Sequence, residues 1–163
     1  MLTIGIERYL ALRRSLIKGV TENLPEAAIT FDKFHAVKII NGAVDQVRRE
    51  EVKSRPELKQ SRYVWLKNQI NLSSGQRQTR DSLAKTNLKT ARAYQIRLAF
   101  QDLYDQPSAE AAADHLKRWY FWATHSRLGP IIDAAHTVKR HWDGMLRWFH
   151  SNIERERDNR WDC

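Results

Sequence analysis

The sequence predicts a mainly α-helical protein with one short strand in its first third. Apolar residues recur at spacings of three, four and seven over most of the 163 residues, which is helix periodicity. Helix-starting residues stand where those stripes begin, as in "SSGQ" and "QPSAE". One brief apolar run, Ala27 to Phe31, carries β-favouring Ile29 and Phe31 around Thr30.

The elements follow in order. Ile6, Leu10, Ile17, Val20 and Leu24 mark a first helix, which Pro25 stops. The strand at 27–31 comes next. A second helix, about 33–54, puts Phe34, Val37, Ile40, Val44 and Val47 on one stripe and Lys38, Arg48, Arg49, Glu50 and Glu51 elsewhere; Arg55-Pro56 breaks it. Residues 57–72 are mixed, and "RYVWLKN" reads equally as an extended piece or a helical turn. From residue 73 onward every segment reads as helix. Ser73 or Ser74 caps one, "NLKTARAYQIRLAFQDLY" forms another, and Ser108 after Pro107 caps a third, with Glu110 in its first turn. Gly129-Pro130 is expected to end that helix. The last helix begins at Ile131 and lines up Ala135, Val138, Trp142, Leu146 and Phe149. After it, "IERERDNRWDC" loses the apolar stripe. A single strand makes no sheet, so either further strands are missing or this one pairs with another chain.

Charge narrows the partners. Lys and Arg number 28 against 19 Asp and Glu, a net charge of +9 and a pI near 9.9. That sign points to a polyanion, with nucleic acid ahead of an anionic membrane surface. No apolar run approaches the ~20 residues that span a bilayer, so no membrane partner is expected. The one cysteine, Cys163, forms no intramolecular disulfide, which fits a reducing cytoplasmic setting.

Two kinds of site stand out. Asp32 lies at the junction between the strand and the second helix. It is either an N-cap, a position that Asp favours, or a ligand-binding carboxylate at a strand end. The densest aromatic segment, "KRWYFWATHSRL", interleaves Lys117, Arg118, His125 and Arg127 with four consecutive bulky residues. Trp119, Trp122 and Ala123 share a face with Ala112 and Leu116, so core packing explains most of it. Some aromatics must still face outward, where they could stack on bases while cations hold phosphates, or build a protein interface. The segment "VKRHWDGMLRWF" has the same two readings. The nucleic-acid candidates are Arg118, Trp119, Arg127, Lys139 and Arg140. The pairs Arg13-Arg14 and Arg48-Arg49 read as solvated faces. The histidines lack zinc spacing, and neither a Gly-rich phosphate loop nor a Ser/His/Asp or Cys/His nucleophile motif is present.

The phrases "TFDKFH", "SRYVWLKNQINLS", "LKTARAYQIRLAFQDLY", "WYFWATHSRL" and "KRHWDG", in this order, resemble the catalytic region of bacterial insertion-sequence transposases of the ISL-three group, over roughly residues 16–153. The resemblance implies a ribonuclease H-like domain with an Asp, Asp, Glu triad, a large helical insertion before the Glu, and two Mg²⁺ or Mn²⁺ ions. It implies DNA, the transposon ends, as partner, and a nucleoid-associated place in a bacterium. Asp32 matches the second Asp. Ala11 falls where the first acid belongs, and "SNIERERDNRWDC" replaces the segment of the final Glu, with Glu154 and Glu156 too early to take its role.

The expected organisation is then a partial ribonuclease H-like core at 1–54, a helical insertion at 55–135, and a last helix with an unrelated tail at 136–163. Three functions compete. The chain is a transposase fragment, catalytically incomplete alone. Or it is a DNA-binding or transposase-interacting regulator, working as a homo-oligomer or with full-length transposase. Or it is an enzyme whose missing carboxylates a partner chain supplies.

Overall fold

The computed structural model describes residues 33–147 and 149. The first predicted helix, the strand at 27–31, Asp32 and the C-terminal tail lie outside these residues.

Among the described residues there is no strand, and six α-helices follow one another: α1 (Lys33–Glu51), α2 (Arg62–Leu66), α3 (Ser74–Ala84), α4 (Lys89–Gln101), α5 (Ala109–Thr124) and α6 (Gly129–Arg140). A further helical run, 142–147, comes after a turn at His141. Short 3-10 turns at Pro56–Leu58, Gln69–Asn71 and Asp102–Asp105 link the longer pieces.

Helix α1 is the spine. It packs against α4 and α6 and also touches α2, while α5 joins α4 to α6. Its buried stripe is Ala36, Ile40, Ala43, Val44 and Val47. Phe34, expected on that stripe, is instead 79% exposed. At about 100° per residue it lies about 120° round the helix from Ile40, outside the arc that faces α4 and α6. The core continues through Trp65, Leu88, Ile96, Phe100, Leu116, Ile131 and Val138, each at most 1% exposed. A large aliphatic side chain buried this fully stabilises by about 1.5–3 kcal/mol.

Polar side chains fix how α1 meets its neighbours. The helix ends at Glu51, three residues before its expected end, because the Ser54 and Arg55 N–H groups both bond the Glu51 carbonyl at 3.0 and 2.8 Å. Its carboxylate reaches across to the start of α4. Asp45, also buried, pairs with Arg48 and Arg49 at 2.9 Å and with Arg62 at 3.5 Å. Arg48 and Arg49 thus pair with an acid of their own helix, Arg49 from its solvated face, and Arg62 is the cation that ties α2 to α1. "RYVWL" folds as a helical turn, whose Trp65 indole donates to Ser61 Oγ at 3.1 Å and meets the Tyr94 ring edge-on at 5.5 Å.

Capping explains the other helix starts. Ser73 Oγ accepts from the Gln76 N–H while Gln76 Oε1 accepts from the Ser73 N–H, a reciprocal capping box. Ser108 Oγ accepts from the Ala111 N–H and opens α5. Gly129 and Pro130 open α6 instead of ending α5, a start position where proline's missing N–H costs nothing. The reversal between the helices falls on Arg127, whose φ of 58° is left-handed. The predicted last helix is interrupted at His141, where the His141 N–H closes onto the Val138 carbonyl at 3.0 Å. That tighter i to i+3 bond ends the α-helical ladder.

Candidate nucleic-acid interface

The site is built on the seam between α4 and α5. Two α5 side chains bond carbonyls of α4: the Trp119 indole N–H donates to the Ile96 carbonyl at 2.9 Å, and His115 Nε2 lies 2.6 Å from the Ala99 carbonyl. The Trp119 ring sits 4.7 Å from Phe100 between centroids and is 2% exposed. Trp119, a candidate for stacking on a base, thus has its ring inside the core and its one donor committed to the backbone. It positions α5 and presents no free face.

The outward face of α5 carries the aromatics. Arg118, Phe121, Trp122 and His125 recur at three- and four-residue spacing and are all exposed. Trp122, expected in the core with Trp119, is 45% exposed and Phe121 65%. Trp122 lies about 120° round the helix from Leu116, so it leaves the core arc that Ala112, Leu116, Trp119 and Ala123 fill. The Phe121 and His125 rings stack at 4.1 Å, and His125 Nδ1 is 2.7 Å from the Phe121 carbonyl.

Beside this face runs a groove of about 440 Å³ lined by Arg92, Gln95, Ile96, Trp122, His125, Ser126 and Arg127. Arg92, Gln95 and Ile96 come from α4, Trp122 from α5, and His125, Ser126 and Arg127 from the loop before α6. Ser126 Oγ donates to the Ala123 carbonyl at 2.7 Å and accepts from the Leu128 N–H at 3.3 Å, bracing the loop. Arg92, Arg118 and Arg127 form no ion pair with a described carboxylate. Three cations that no described carboxylate engages, flanking an exposed indole, can attract an anion and offer it a flat apolar surface. Arg92 and Gln95 were not legible as site residues, because nothing in "TARAYQIRL" marks which side of α4 meets α5.

Lys139 and Arg140 lie elsewhere. Lys139 Nζ stands 4.3 Å from the Trp142 ring centroid and 5.8 Å from that of Tyr120, and Arg140 Nη2 donates to Thr137 Oγ1 at 2.9 Å. Tyr120 faces α6, its hydroxyl 3.2 Å from His136 Nδ1. This cluster does not line the groove beside Trp122, so the five candidates do not form one site.

Asp32 lies outside the described residues. Among those described, no group of three His, Cys, Asp or Glu side chains converges as a metal site would require. The two buried acids, Asp45 and Glu51, are already engaged by arginines and by the start of α4. These residues do not fit a two-metal centre, and no catalytic step is assigned to them. No helix among them is long and apolar enough to cross a membrane.

Fold and face together define a helical body with a basic, aromatic-lined groove. The chain belongs to the ISL3 family of insertion-sequence transposases, whose model, described as a transposase, matches residues 12–155. It is similar to the transposase for insertion sequence element IS1557 of Mycobacterium tuberculosis, 27% identical over 150 residues covering 75% of this chain and 34% of that protein. It is also similar to the transposase for insertion sequence element IS1001 of Bordetella parapertussis, 30% identical over 133 residues covering 75% of this chain and 32% of that protein. The chain thus spans about a third of the length of these curated relatives. No solved structure matches it.

Proposed function

We propose that this chain is part of a DDE transposase acting in DNA transposition, and that it cuts no DNA alone. In this reading residues 1–54 belong to a partial ribonuclease H-like core and residues 55–135 to a helical insertion. The described helices are a body that holds DNA, the transposon ends, while a complete transposase or a second copy takes part in assembly. Asp32 is the one triad carboxylate in register, with Ala11 at the place of the first. One carboxylate cannot hold two Mg²⁺ or Mn²⁺ ions, which is the physical reason for inactivity.

The observation that carries the DNA-holding part is the face with Arg92, Arg118 and Arg127, none of them engaged by a described carboxylate. Family membership supports the transposition part. The test has two arms. With Mg²⁺ and supercoiled DNA bearing insertion-sequence ends, the chain leaves the DNA uncut; Mg²⁺-dependent nicking that Asp32→Ala abolishes would contradict the inactivity. Affinity for duplex DNA should fall steeply with salt as phosphate contacts release counterions. Affinity that ignores salt would contradict DNA holding.

A further inference from the structure

We infer that the groove between α4 and α5 receives an unpaired nucleotide of single-stranded DNA, its base on Trp122 and its phosphates on Arg92 and Arg127. The inference rests on the reading that the helical body holds DNA, and adds which form of DNA the groove takes.

Phosphate contact alone needs cations and no aromatic ring. Here an indole, 45% exposed, stands in the groove beside Ile96, an apolar floor only 1% exposed. What covers such a surface best is a flat, apolar face of similar size. In a duplex those faces are occupied by neighbouring bases, whereas in a single strand they are free to stack on an aromatic side chain. The exposed amide of Gln95 on the same wall can pair with a base edge in either sense, as donor or acceptor.

Charge sets the direction of the strand. Arg127 also borders a smaller hollow of about 160 Å³, but that one is lined by the acids Glu50 and Glu51 as well as by Lys89. Those acids repel phosphate, so the backbone follows the side of Arg92 and Trp122. The walls are prepared in advance: the Trp119 bond to Ile96 and the His115 contact with Ala99 lock α5 onto α4. Trp122 therefore meets a base from a fixed helix, with little ordering left to occur on binding.

The test measures binding of the full chain to a labelled oligo-dT of about 12 nucleotides and to a blunt duplex of similar length at one salt concentration. Trp122→Ala should weaken the single strand about 5- to 100-fold and leave duplex affinity within about twofold. Trp122→Phe should recover most of the loss. Both are surface changes that keep the fold. If Trp122→Ala leaves the single strand unchanged, or weakens both forms equally, the nucleotide site is overturned while salt-dependent duplex binding keeps the broader reading intact. If neither DNA binds, both fall together.

Discussion

Glu51, at the last turn of α1, caps the helix that begins beside Thr90, 39 residues later. Its carboxylate accepts from the Lys89 N–H at 2.8 Å, the Thr90 N–H at 2.7 Å and the Thr90 hydroxyl at 2.7 Å. Leu88, the local cap residue of α4, has no side-chain oxygen to give. An acid from another helix thus satisfies the orphan N–H groups and meets the positive end of the α4 dipole. Glu51→Ala should cost about 2–3 kcal/mol, because it leaves buried donors without a charged acceptor. A urea midpoint unchanged from wild type would show that water replaces the carboxylate.

Arg97 is 1% exposed and has no carboxylate partner among the described residues. Its Nε donates to Asn41 Oδ1 at 2.6 Å and its Nη2 to the Leu66 carbonyl at 3.0 Å, which ties α4 to α1 and to α2. Burial holds the guanidinium below its ordinary range, so every remaining acceptor matters. Asn41→Ala is expected to destabilise by about 1.5–3 kcal/mol. Arg97→Lys should also destabilise, since an ammonium cannot reproduce the planar fork that serves both acceptors. Equal unfolding midpoints for wild type and both variants would show that the pair contributes nothing.

His141, at the break after α6, has its pKa lowered first by burial and then by the neighbouring Arg140 charge. The folded state therefore prefers the neutral ring. Its contribution is complete above the ordinary histidine pKa of about 6.5 and is lost as pH falls through the lower folded value. Stability should decline as pH falls below about 6.5, and His141→Gln should flatten that decline. The effect is modest because the ring keeps contact with solvent. Parallel pH profiles for the two proteins would remove His141 as the cause.

Arg127 joins a backbone cost to a charge. A non-glycine residue at φ 58° costs about 1–2 kcal/mol relative to a relaxed conformation. Arg127→Gly should therefore keep or raise stability by up to about 1 kcal/mol while making the salt dependence of duplex binding shallower by about 0.9. Lower stability in this variant would mean that the arginine side chain, and not the turn alone, holds the loop.

Much of the helical body was legible in the sequence, because its signals are local. The serine caps at Ser108 and in "SSGQ" announce themselves locally, although the return bond from Gln76 that completes the box at Ser73 shows only in the structure. The stripe Ile40, Val44, Val47 follows simple periodicity. What escaped depends on partners distant in the chain. Nothing near Glu51 says that it caps a helix starting at Lys89. Trp119 and Trp122 are both bulky and one turn apart, so periodicity fits either into the core; only the packing of α5 on α4 sends Trp119 inward and Trp122 out. Gly129-Pro130 is compatible with ending one helix or beginning the next, and the left-handed turn at Arg127 falls on a residue type that gives no warning.

If the α4–α5 face holds DNA through Arg92, Arg118 and Arg127, removing those arginines must flatten the salt dependence of binding. The decisive quantity is the slope of log affinity for duplex DNA against log salt, for wild type and for the combined Arg92→Ala, Arg118→Ala and Arg127→Ala variant. The wild type should show a slope steeper by about 2.7, at about 0.9 for each phosphate that an arginine neutralises. Equal slopes in the two proteins would contradict DNA holding by this face.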